Sequence, residues 1–221
     1  MHVHANAAIS IDGKLASRRR EQLAISGPDD FARVDRLRTQ VDAVLVGVGT
    51  VIADDPSLTT PVGETQPARV VVDSLGRTPL EARILDGRAP TYLLVSASIE
   101  DERKAALEDT GAIIVVTSTT EQVDLDEGLE ELESNGIARL LAEGGGEVMY
   151  SLFERNLVDR LTLFVSPHII GGREAPTLVD GDGFVDTFPL LELVEVTHLD
   201  AGLLCTYNVR GRSSSAEAIN R

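Results

Sequence analysis

Residues 137–153, IARLLAEGGGEVMYSLF, constrain the fold of this chain more than any other stretch. A short apolar run meets one acid, Glu143, and three consecutive glycines then separate it from apolar residues at helical spacing. This order predicts a strand, a glycine turn and a helix. Because glycines allow close backbone approach and a helix N-terminus favours negative charge, the turn suits a phosphate group. The alternative is a tight turn that binds nothing.

Strand and helix patterns alternate along the rest of the chain. Apolar runs predict strands at 2–9, 41–46, 69–73, 91–96, 112–117 and 160–166. Helical spacing predicts helices at 28–40, 100–109 and 124–134, and Ser26 is the expected N-cap of the first. Two last strands, 192–199 and 203–210, flank a turn and predict a hairpin. The chain is therefore predicted to be an α/β protein, with a largely parallel central sheet flanked by helices and a C-terminal antiparallel hairpin.

Several polar residues stand at or near predicted strand ends, where open α/β sheets bind ligands. A second glycine turn, residues 47–50, leads to the acidic pair Asp54 and Asp55. Asn6 is a polar residue within the first strand, and it either faces solvent or points into a cleft as a donor. Three arginines at 18–20 form a charged loop that is either solvated or lines the entrance of an anion site.

The composition limits the class of protein. With 221 residues, 43% of them hydrophobic, the chain can bury one substantial core, which predicts a single domain over 1–210 and a disordered tail over 211–221. Neither an apolar run of about 18 residues nor a signal-peptide pattern occurs, so we expect a cytoplasmic protein without a membrane partner. The lone Cys205 cannot form an internal disulfide, and the four histidines lack metal-ligand spacing, so we expect no metal site.

The charge is strongly acidic. The net charge is -16, and Lys14 and Lys104 are the two lysines of the sequence. This balance disfavours nucleic acid and anionic membranes as partners. An acidic surface with few lysines is typical of proteins adapted to high salt, where screening relieves self-repulsion. The alternative is an ordinary acidic cytosolic protein.

Four segments together resemble one known family. They are NAAISIDGKLA at 6–16, LRTQVDAVLVGVGTVIADDPSLT at 37–59, RVVVDSLGRTPLEARIL at 69–85, and LLAEGGGEVMYSLFERNLVDRLTLFVSPHIIGGREAPTLVDGDGF at 140–184. The combination of GxGTVxxDDPxLT with a later EGG is similar to the riboflavin-pathway pyrimidine reductases, which have the dihydrofolate reductase-like fold. The resemblance implies an enzyme that uses NADPH, with NADH as the alternative. It would reduce the ribose of a ribosylamino-pyrimidine 5′-phosphate to the ribityl chain.

The resemblance also implies roles for individual residues. Cofactor contacts carry over to Ala8, Thr50, Asp54, Ser74, Leu75, Gly76, Arg77, Gly144, Gly145, Gly146 and Glu147. Substrate contacts carry over to Arg38, Leu58 and Glu143, and the sequence adds Asn6 and Lys14. Many bacterial relatives have an arginine where this chain has Pro61. We therefore expect Lys14 and Arg38 to hold the substrate phosphate.

The implied chemistry asks for a proton donor. A ring-closed N-glycoside must open to a Schiff base before a hydride can add to its C1′ carbon, and ring opening needs proton transfers. Glu143 and Asp54 are the catalytic candidates, with Lys14 as a third. The alternatives are a helix-capping acid for Glu143 and a turn carboxylate for Asp54.

The resemblance narrows the substrate and leaves other functions open. The HxE and PCxxC signature of a zinc deaminase does not occur in the sequence. This is similar to stand-alone archaeal and fungal reductases, which act on the 2,5-diamino-pyrimidinone rather than on its deaminated analogue. Relatives imply a homodimer formed through the C-terminal sheet. The competing predictions are a reductase of the deaminated 5-amino-6-(ribosylamino)uracil 5′-phosphate, a pterin or folate reductase, and an NADP-binding protein without catalysis.

Overall fold

The computed structural model describes residues 1–19, 23, 25–61, 65–117 and 121–211. Its strands are β1 (His2–Ser10), β2 (Ala43–Gly47), β3 (Ala68–Val72), β4 (Thr91–Val95), β5 (Ile113–Val116), β6 (Arg139–Gly144), β7 (Arg160–Ser166), β8 (Leu190–Leu199) and β9 (Gly202–Arg210). Its helices are α1 (Pro28–Arg38), α2 (Val48–Asp54), α3 (Asp101–Glu108), α4 (Leu125–Ser134) and α5 (Gly146–Glu154), with a 3-10 turn at Arg83–Leu85. Arg20 and residues 212–221 of the predicted 211–221 tail lie outside the described residues.

The strands form one sheet in the order β5-β4-β3-β2-β6-β1-β7-β9-β8. Strands β1 to β7 are parallel, whereas β9 pairs antiparallel with both β7 and β8. The sheet therefore confirms the predicted α/β architecture with its antiparallel C-terminal hairpin. β1 lies between β6 and β7, with Ala5 beside Ala142 and Asn6 beside Thr162.

Two hydrophobic clusters cover the two faces of the parallel strands. Every residue of β2 and β4 is buried, which explains why their apolar runs are continuous rather than alternating. Helices α4 and α5 contribute Leu129, Met149 and Leu152 to one cluster. Helices α2 and α3 contribute Val51 and Leu107 to the other. The parallel part of the sheet is thus enclosed by helices of its own chain.

The outer hairpin is different because β8 exposes eight of its ten residues. Leu193, Val194 and Val196 are each about half exposed, at 54%, 51% and 48%. The register shifts between Leu193 and Glu195, which indicates a β-bulge in this edge strand. No helix within the described ranges is long and apolar enough to span a bilayer.

Two local predictions are wrong. Ser26 is not the N-cap of α1, because Gly27 occupies that position without a side-chain cap. The carboxylate of Asp200, in the turn between β8 and β9, instead accepts hydrogen bonds from the backbone N–H groups of Asp29 and Asp30 at 3.2 and 2.9 Å. Asp200 lies 170 residues from Asp30, so no local sequence pattern predicts this cap. The second error is the turn at 47–50, which is the start of α2.

Candidate active site

The predicted site residues lie mainly around one edge of the sheet. Strands β1, β2, β3 and β6 are parallel, so their carboxyl ends meet at that edge. Helix α2 follows β2 and helix α5 follows β6, and these two strands are neighbours. The predicted ligand site therefore lies at this edge, between the first residues of α2 and α5. The backbone N–H groups at the start of a helix can bind an anion.

The two glycine-bearing strand ends are in contact. Gly145 has φ +93°, a conformation that side chains rarely adopt, and a Cβ atom built on it would lie 3.6 Å from the Cα atom of Gly47. A Cβ atom on Gly144 would lie 3.3 Å from the Thr50 hydroxyl, and one on Gly47 would lie 2.9 Å from Val148. Gly145 is thus favoured by its backbone conformation, there is little room for a side chain at Gly144 or Gly47, and Thr50 lies beside this junction.

The third glycine of the turn has a different environment. A Cβ atom on Gly146 would come within 2.7 Å of the Thr177 carbonyl oxygen and closer still to the Asp180 carboxylate. The backbone N–H of Asp180 also donates to the Gly146 carbonyl at 3.0 Å. Gly146 is therefore needed for packing of the 175–180 loop, whereas Gly144 and Gly145 are only half-buried. Glu147 follows on the exposed side of α5.

The turn after β3 is built around a buried carboxylate. Asp73 is fully buried and accepts hydrogen bonds from the backbone N–H groups of Arg77 and Thr78 at 2.8 and 2.7 Å. The hydroxyl of Ser74 accepts a bond from the backbone N–H of Val123, so its oxygen is already engaged. Gly76 has φ +67° and Leu75 is 52% exposed. The Arg77 side chain is 62% exposed, and its Nε atom lies 4.0 Å from the Asp73 carboxylate.

Arg38 and Glu143 form the strongest polar contact of the site. The Nε and Nη2 atoms of Arg38 donate to the two carboxylate oxygens of Glu143 at 2.9 and 2.7 Å. The Nη1 atom donates to the Thr59 carbonyl oxygen at 3.1 Å, and Asp35 lies at 3.8 Å. The two side chains are only 18% and 10% exposed. A bidentate pair of this kind fixes the carboxylate geometry and joins α1, β6 and the 57–60 loop.

The electrostatics of the pair follow from its burial. Burial lowers the pKa of Arg38, but the hydrogen bonds and charge of Glu143, together with the charge of Asp35, outweigh it and raise that pKa. Arg38 is therefore a permanent cation whose charge is already balanced by carboxylates. This weakens the expectation that it holds the substrate phosphate, which stays a prediction.

Asn6 follows Ala5 on β1, and Glu143 follows the paired Ala142 on β6. Strand β6 is irregular at this point, because Leu45 of β2 pairs with Ala142 and the next residue, Val46, pairs with Gly144. Asn6 is 5% exposed, and its Oδ1 atom is buried without a hydrogen-bond partner among the described residues. Ala8 follows two positions later on the same face and is half-buried. The neighbouring Thr162 is engaged with His4 at 2.6 Å.

Two further predicted residues lie after β2. Asp54 ends α2 on an exposed turn of chain, and partial burial of its carboxyl raises the pKa of Asp54. Leu58 has φ +53°, which is strained for a residue other than glycine, and its side chain is 3% exposed within the core. Leu58 can thus offer a ligand its backbone and not its side chain.

Lys14 is used by the protein itself. Its Nζ atom donates to the Ala175 carbonyl oxygen at 3.0 Å, and its backbone pairs with Thr177. Asp12 lies two residues before Lys14. Its carboxylate accepts bonds from Ser10, Ile170 and Gly171 at 2.6, 3.0 and 2.7 Å. The Ser-x-Asp-Gly-Lys motif thus anchors the 168–180 loop against the end of β1, a role that spacing alone does not reveal.

Those bonds affect the acidity of Asp12. The hydrogen bond from Ser10 is the largest cause, followed by those from the backbone of Ile170 and Gly171, and together they lower the pKa of Asp12 to about 2. In the described part of the chain, no group of three or more His, Cys, Asp or Glu side chains is arranged to hold a metal ion.

Comparison with known proteins identifies the family. The model of the RibD C-terminal domain matches residues 1–205. The chain belongs to this family. It is 42% identical over 216 residues to the 2,5-diamino-6-ribosylamino-4(3H)-pyrimidinone 5′-phosphate reductase of Methanothermobacter thermautotrophicus, covering 95% of this chain and 99% of the relative. The protein of the same name from Archaeoglobus fulgidus is 42% identical over 195 residues, covering 83% and 88%.

A solved structure agrees with the fold. The pyrimidine reductase-like protein of Corynebacterium diphtheriae superimposes with a TM-score of 0.82 at 20% sequence identity, covering 95% of this chain and 92% of that one. This likeness confirms the predicted fold class, and the family match confirms the predicted family. The relatives are named reductases of a ribosylamino-pyrimidine phosphate, which agrees with the predicted oxidoreductase chemistry.

Proposed function

We propose that this protein is an NADPH-dependent reductase of 2,5-diamino-6-(ribosylamino)-4(3H)-pyrimidinone 5′-phosphate in riboflavin biosynthesis. The observation that carries the proposal is the junction of the glycine turn with the Arg38–Glu143 pair at one sheet edge. The turn suits a dinucleotide phosphate, and the pair presents a carboxylate of fixed geometry beside it. Family membership and the names of the relatives support the same activity.

The residues at the edge fit a nicotinamide dinucleotide. A side chain at Gly144 or Gly145 would fill the space in front of Thr50 and Gly47, which is where a pyrophosphate would approach the start of α5. Thr50, Asp54 and the Ser74–Arg77 turn would hold the remainder. The exposed Arg77 guanidinium suits a 2′-phosphate, which supports NADPH over NADH. When bound, the cofactor supplies a hydride from C4 of its nicotinamide ring.

The substrate side is lined by acceptors. Glu143 keeps one lone pair on each oxygen after bonding to Arg38, and the Asn6 oxygen has no partner among the described residues. A 2-amino-pyrimidinone presents an amino group and a ring N–H side by side, so it can donate to such acceptors. Its deaminated analogue has a carbonyl oxygen in place of the amino group. The acceptor arrangement therefore favours the diamino substrate.

The chain's own groups can also manage the protons of ring opening. The bond between C1′ and the ring oxygen must break, with one proton passing to that oxygen and one leaving the exocyclic N–H, so that a C1′=N bond forms and can accept a hydride. Glu143, oriented by Arg38, is placed to hold a proton near the pyrimidine. The raised pKa of Asp54 suits a second acid, and Lys14 is the least available because Ala175 already accepts from its ammonium group.

An NADPH-oxidation assay tests the proposal. Purified protein is given the diamino substrate, its deaminated analogue, and dihydropterin or dihydrofolate, each with NADPH and with NADH. We expect the largest kcat/KM with the diamino compound and NADPH, and a strong loss in Glu143→Gln. A pterin carries the same 2-amino edge, so a preference for it would show that the protein is a pterin reductase instead. NADPH binding without turnover of any compound would leave a non-catalytic protein.

We also propose a homodimer formed through β8 and β9. β8 is a ten-residue edge strand whose backbone groups and half-exposed valines are uncovered by the described residues. A second copy would bury both.

We further propose a cytoplasmic location and an acidic surface adapted to high salt. Unfolding temperatures that rise between dilute and molar KCl would support the adaptation, and a flat profile would remove it.

A further inference from the structure

Helix α1 is held at its two ends by carboxylates from distant parts of the chain. At its N-terminus, the Asp200 side chain accepts hydrogen bonds from the backbone N–H groups of Asp29 and Asp30 at 3.2 and 2.9 Å. At its C-terminus, Arg38 donates to both carboxylate oxygens of Glu143 at 2.9 and 2.7 Å. The helix thus connects the turn between β8 and β9 with the proposed catalytic carboxylate.

The length of α1 matches the distance that it spans. Glu143 lies on β6 and Asp200 follows β8, and this part of the sheet has the strand order β6-β1-β7-β9-β8. Three strand spacings separate β6 from β9, which is about 14 Å. The eleven residues of α1 form a helix about 16 Å long. A displacement at one end of this helix is therefore transmitted to the other.

Few apolar contacts hold α1 against the sheet. Within this helix, all of which is described, Asp30 is the one buried residue, and Leu37 packs against the core while only partly buried. By contrast, α5 buries Met149, Leu152 and Phe153. Helices in proteins are stabilised mainly by the packing of an apolar face, and a helix of this length is marginal without it. The position of α1 therefore depends more than usual on the polar contacts at its ends.

Gly27 leaves room for the distant cap. It is the N-cap residue of α1, and it has no side chain that could bond to the first N–H groups of the helix. Its backbone is extended, with φ −96° and ψ −179°, so the conformation does not require glycine. A Cβ atom built on Gly27 would lie only 2.6 Å from the Oδ1 atom of Asp200. The space that the Asp200 carboxylate occupies therefore accounts for the glycine.

We propose that Asp200 is a positioning residue for the reaction, because it fixes the start of α1, and α1 in turn fixes Arg38 and the Glu143 carboxylate. This inference rests on the proposed function, which gives Glu143 its role in the reduction. Asp200 lies in the turn and in neither strand of the hairpin, so its effect on catalysis does not require the exposed surface of β8. The glycine turn follows β6 and is not part of α1, so NADPH affinity should not change.

The first test compares Asp200→Gly with the matched control Asn156→Gly. Both residues have positive φ, at +49° and +54°, so glycine fits either backbone, and Asn156 lies beyond the C-terminus of α5. We expect Asp200→Gly to lower kcat/KM for the pyrimidine about fivefold, while the Kd for NADPH and the mass by light scattering match those of the wild type. The control should match the wild type in all three. Unchanged kcat/KM in Asp200→Gly would overturn the proposal, and so would a loss that accompanies a lower mass.

The second test restores the cap from within the helix. In Asp200→Gly the carboxylate no longer fills the space beside Gly27. Adding Gly27→Ser then supplies a hydroxyl at the N-cap position, where the extended backbone suits a serine cap. We expect the combined variant to recover most of the lost kcat/KM. A combined variant as impaired as Asp200→Gly would show that Asp200 does not act through the cap.

The third test separates positioning from a general loss of stability. In an Arg38→Ala background the link between α1 and Glu143 is already broken, so Asp200→Gly should lower kcat/KM there by less than about twofold. A fivefold loss that persists in this background would contradict a route through Arg38.

Hydrogen exchange gives a readout that does not require turnover. Asp200→Gly should reduce the protection of residues 28–38 and leave that of β2, β3 and β4 unchanged. Equal protection of α1 in the variant and the wild type would overturn the inference. If the wild type reduces none of the compounds, the proposed function fails, whereas the exchange result still decides whether Asp200 holds α1.

Discussion

Strands β4 and β8 contain similar residues but lie in different surroundings. Strand β4 is entirely buried, and β8 exposes eight of its ten residues, although leucine and valine are prominent in both. The difference lies in the connections. Parallel strands need crossover helices, and those helices cover β2 to β4 on both faces. The final hairpin needs only a short turn, so it adds strands β8 and β9 without adding a helix that would cover them.

The comparison shows how one chain separates two tasks. The helix-covered part places rigid strand ends together, and these carry the proposed active site. The uncovered hairpin presents an edge and a surface that suit a partner. Substitutions in the first region should change catalysis without changing assembly, and substitutions in the second should do the opposite.

The largest effect is expected at Arg38. In Arg38→Ala, Glu143 loses its bidentate partner and becomes a partly buried, uncompensated carboxylate. We expect kcat/KM to fall about 100-fold, or about 2.7 kcal/mol. Arg38→Lys should restore only part of the activity because an ammonium group cannot bind bidentately. Steady-state kinetics of both variants measure the loss of activity, and light scattering measures their mass. A change of mass would contradict the prediction that this region affects catalysis and not assembly.

The next largest effect is expected at the hairpin. Val194→Lys combined with Val196→Lys places two charges on the half-exposed surface of β8. We expect the dissociation constant of the dimer to rise about thirtyfold, with a 23.7 kDa monomer visible by light scattering. Val116→Lys is the matched control, because this valine is 49% exposed on β5 at the opposite edge of the sheet. A monomeric wild-type protein would contradict the role given to the hairpin.

A smaller effect is expected at the glycine turn. Gly145→Asp introduces a side chain at φ +93° and a negative charge where a pyrophosphate would lie. We expect NADPH affinity to fall about tenfold in calorimetry, while the dimer is retained. Gly111→Asp makes the same change at φ +88° in open space away from the site and controls for backbone strain. Unchanged affinity in a folded Gly145→Asp protein would remove this turn from the cofactor site.

The smallest effect concerns His4, on β1 between the two regions. Burial is the largest cause that lowers the pKa of His4 from 6.5 to about 4, and Arg160, His2 and Arg33 add to it. The unfolded chain therefore binds a proton at higher pH than the folded one, so stability should rise as pH increases from about 4 to 6.5.

The expected contribution is on the order of 1 kcal/mol, because His4 is only partly buried. Denaturant unfolding of wild type and His4→Gln across this pH range measures it. Other groups titrate in both proteins, so the difference between the two slopes is the informative quantity. Parallel slopes would show that His4 is not responsible.

The sequence predicted the elements well because their signals are local. The continuous apolar run of β2, the glycines at 144–146 and the alternating hairpin each depend on neighbours within a few residues. The sequence also named both members of the Arg38–Glu143 pair, but only as separate ligand contacts. Their mutual bond joins residues 105 positions apart, and no local pattern encodes it.

The remaining misses have the same cause. Asp200 caps α1 from the far hairpin, and Asp12 anchors a loop 158 residues later. The sequence drew attention to the arginines at 18 and 19, but it could not show that residues 170–172 lie opposite them in the folded chain. Long-range polar contacts decide how the site is arranged, and single-sequence reasoning reads mainly short-range ones.

The place of β1 in the sheet also has a consequence for synthesis. β1 is the first strand to be made, yet both of its neighbours, β6 and β7, begin after residue 138. At about 5–20 residues per second, the ribosome needs on the order of ten seconds to make them. For that time the largely apolar segment 2–10 has no strand to pair with. The centre of the sheet therefore forms late, and the time for which β1 stays unpaired is set by the speed of translation.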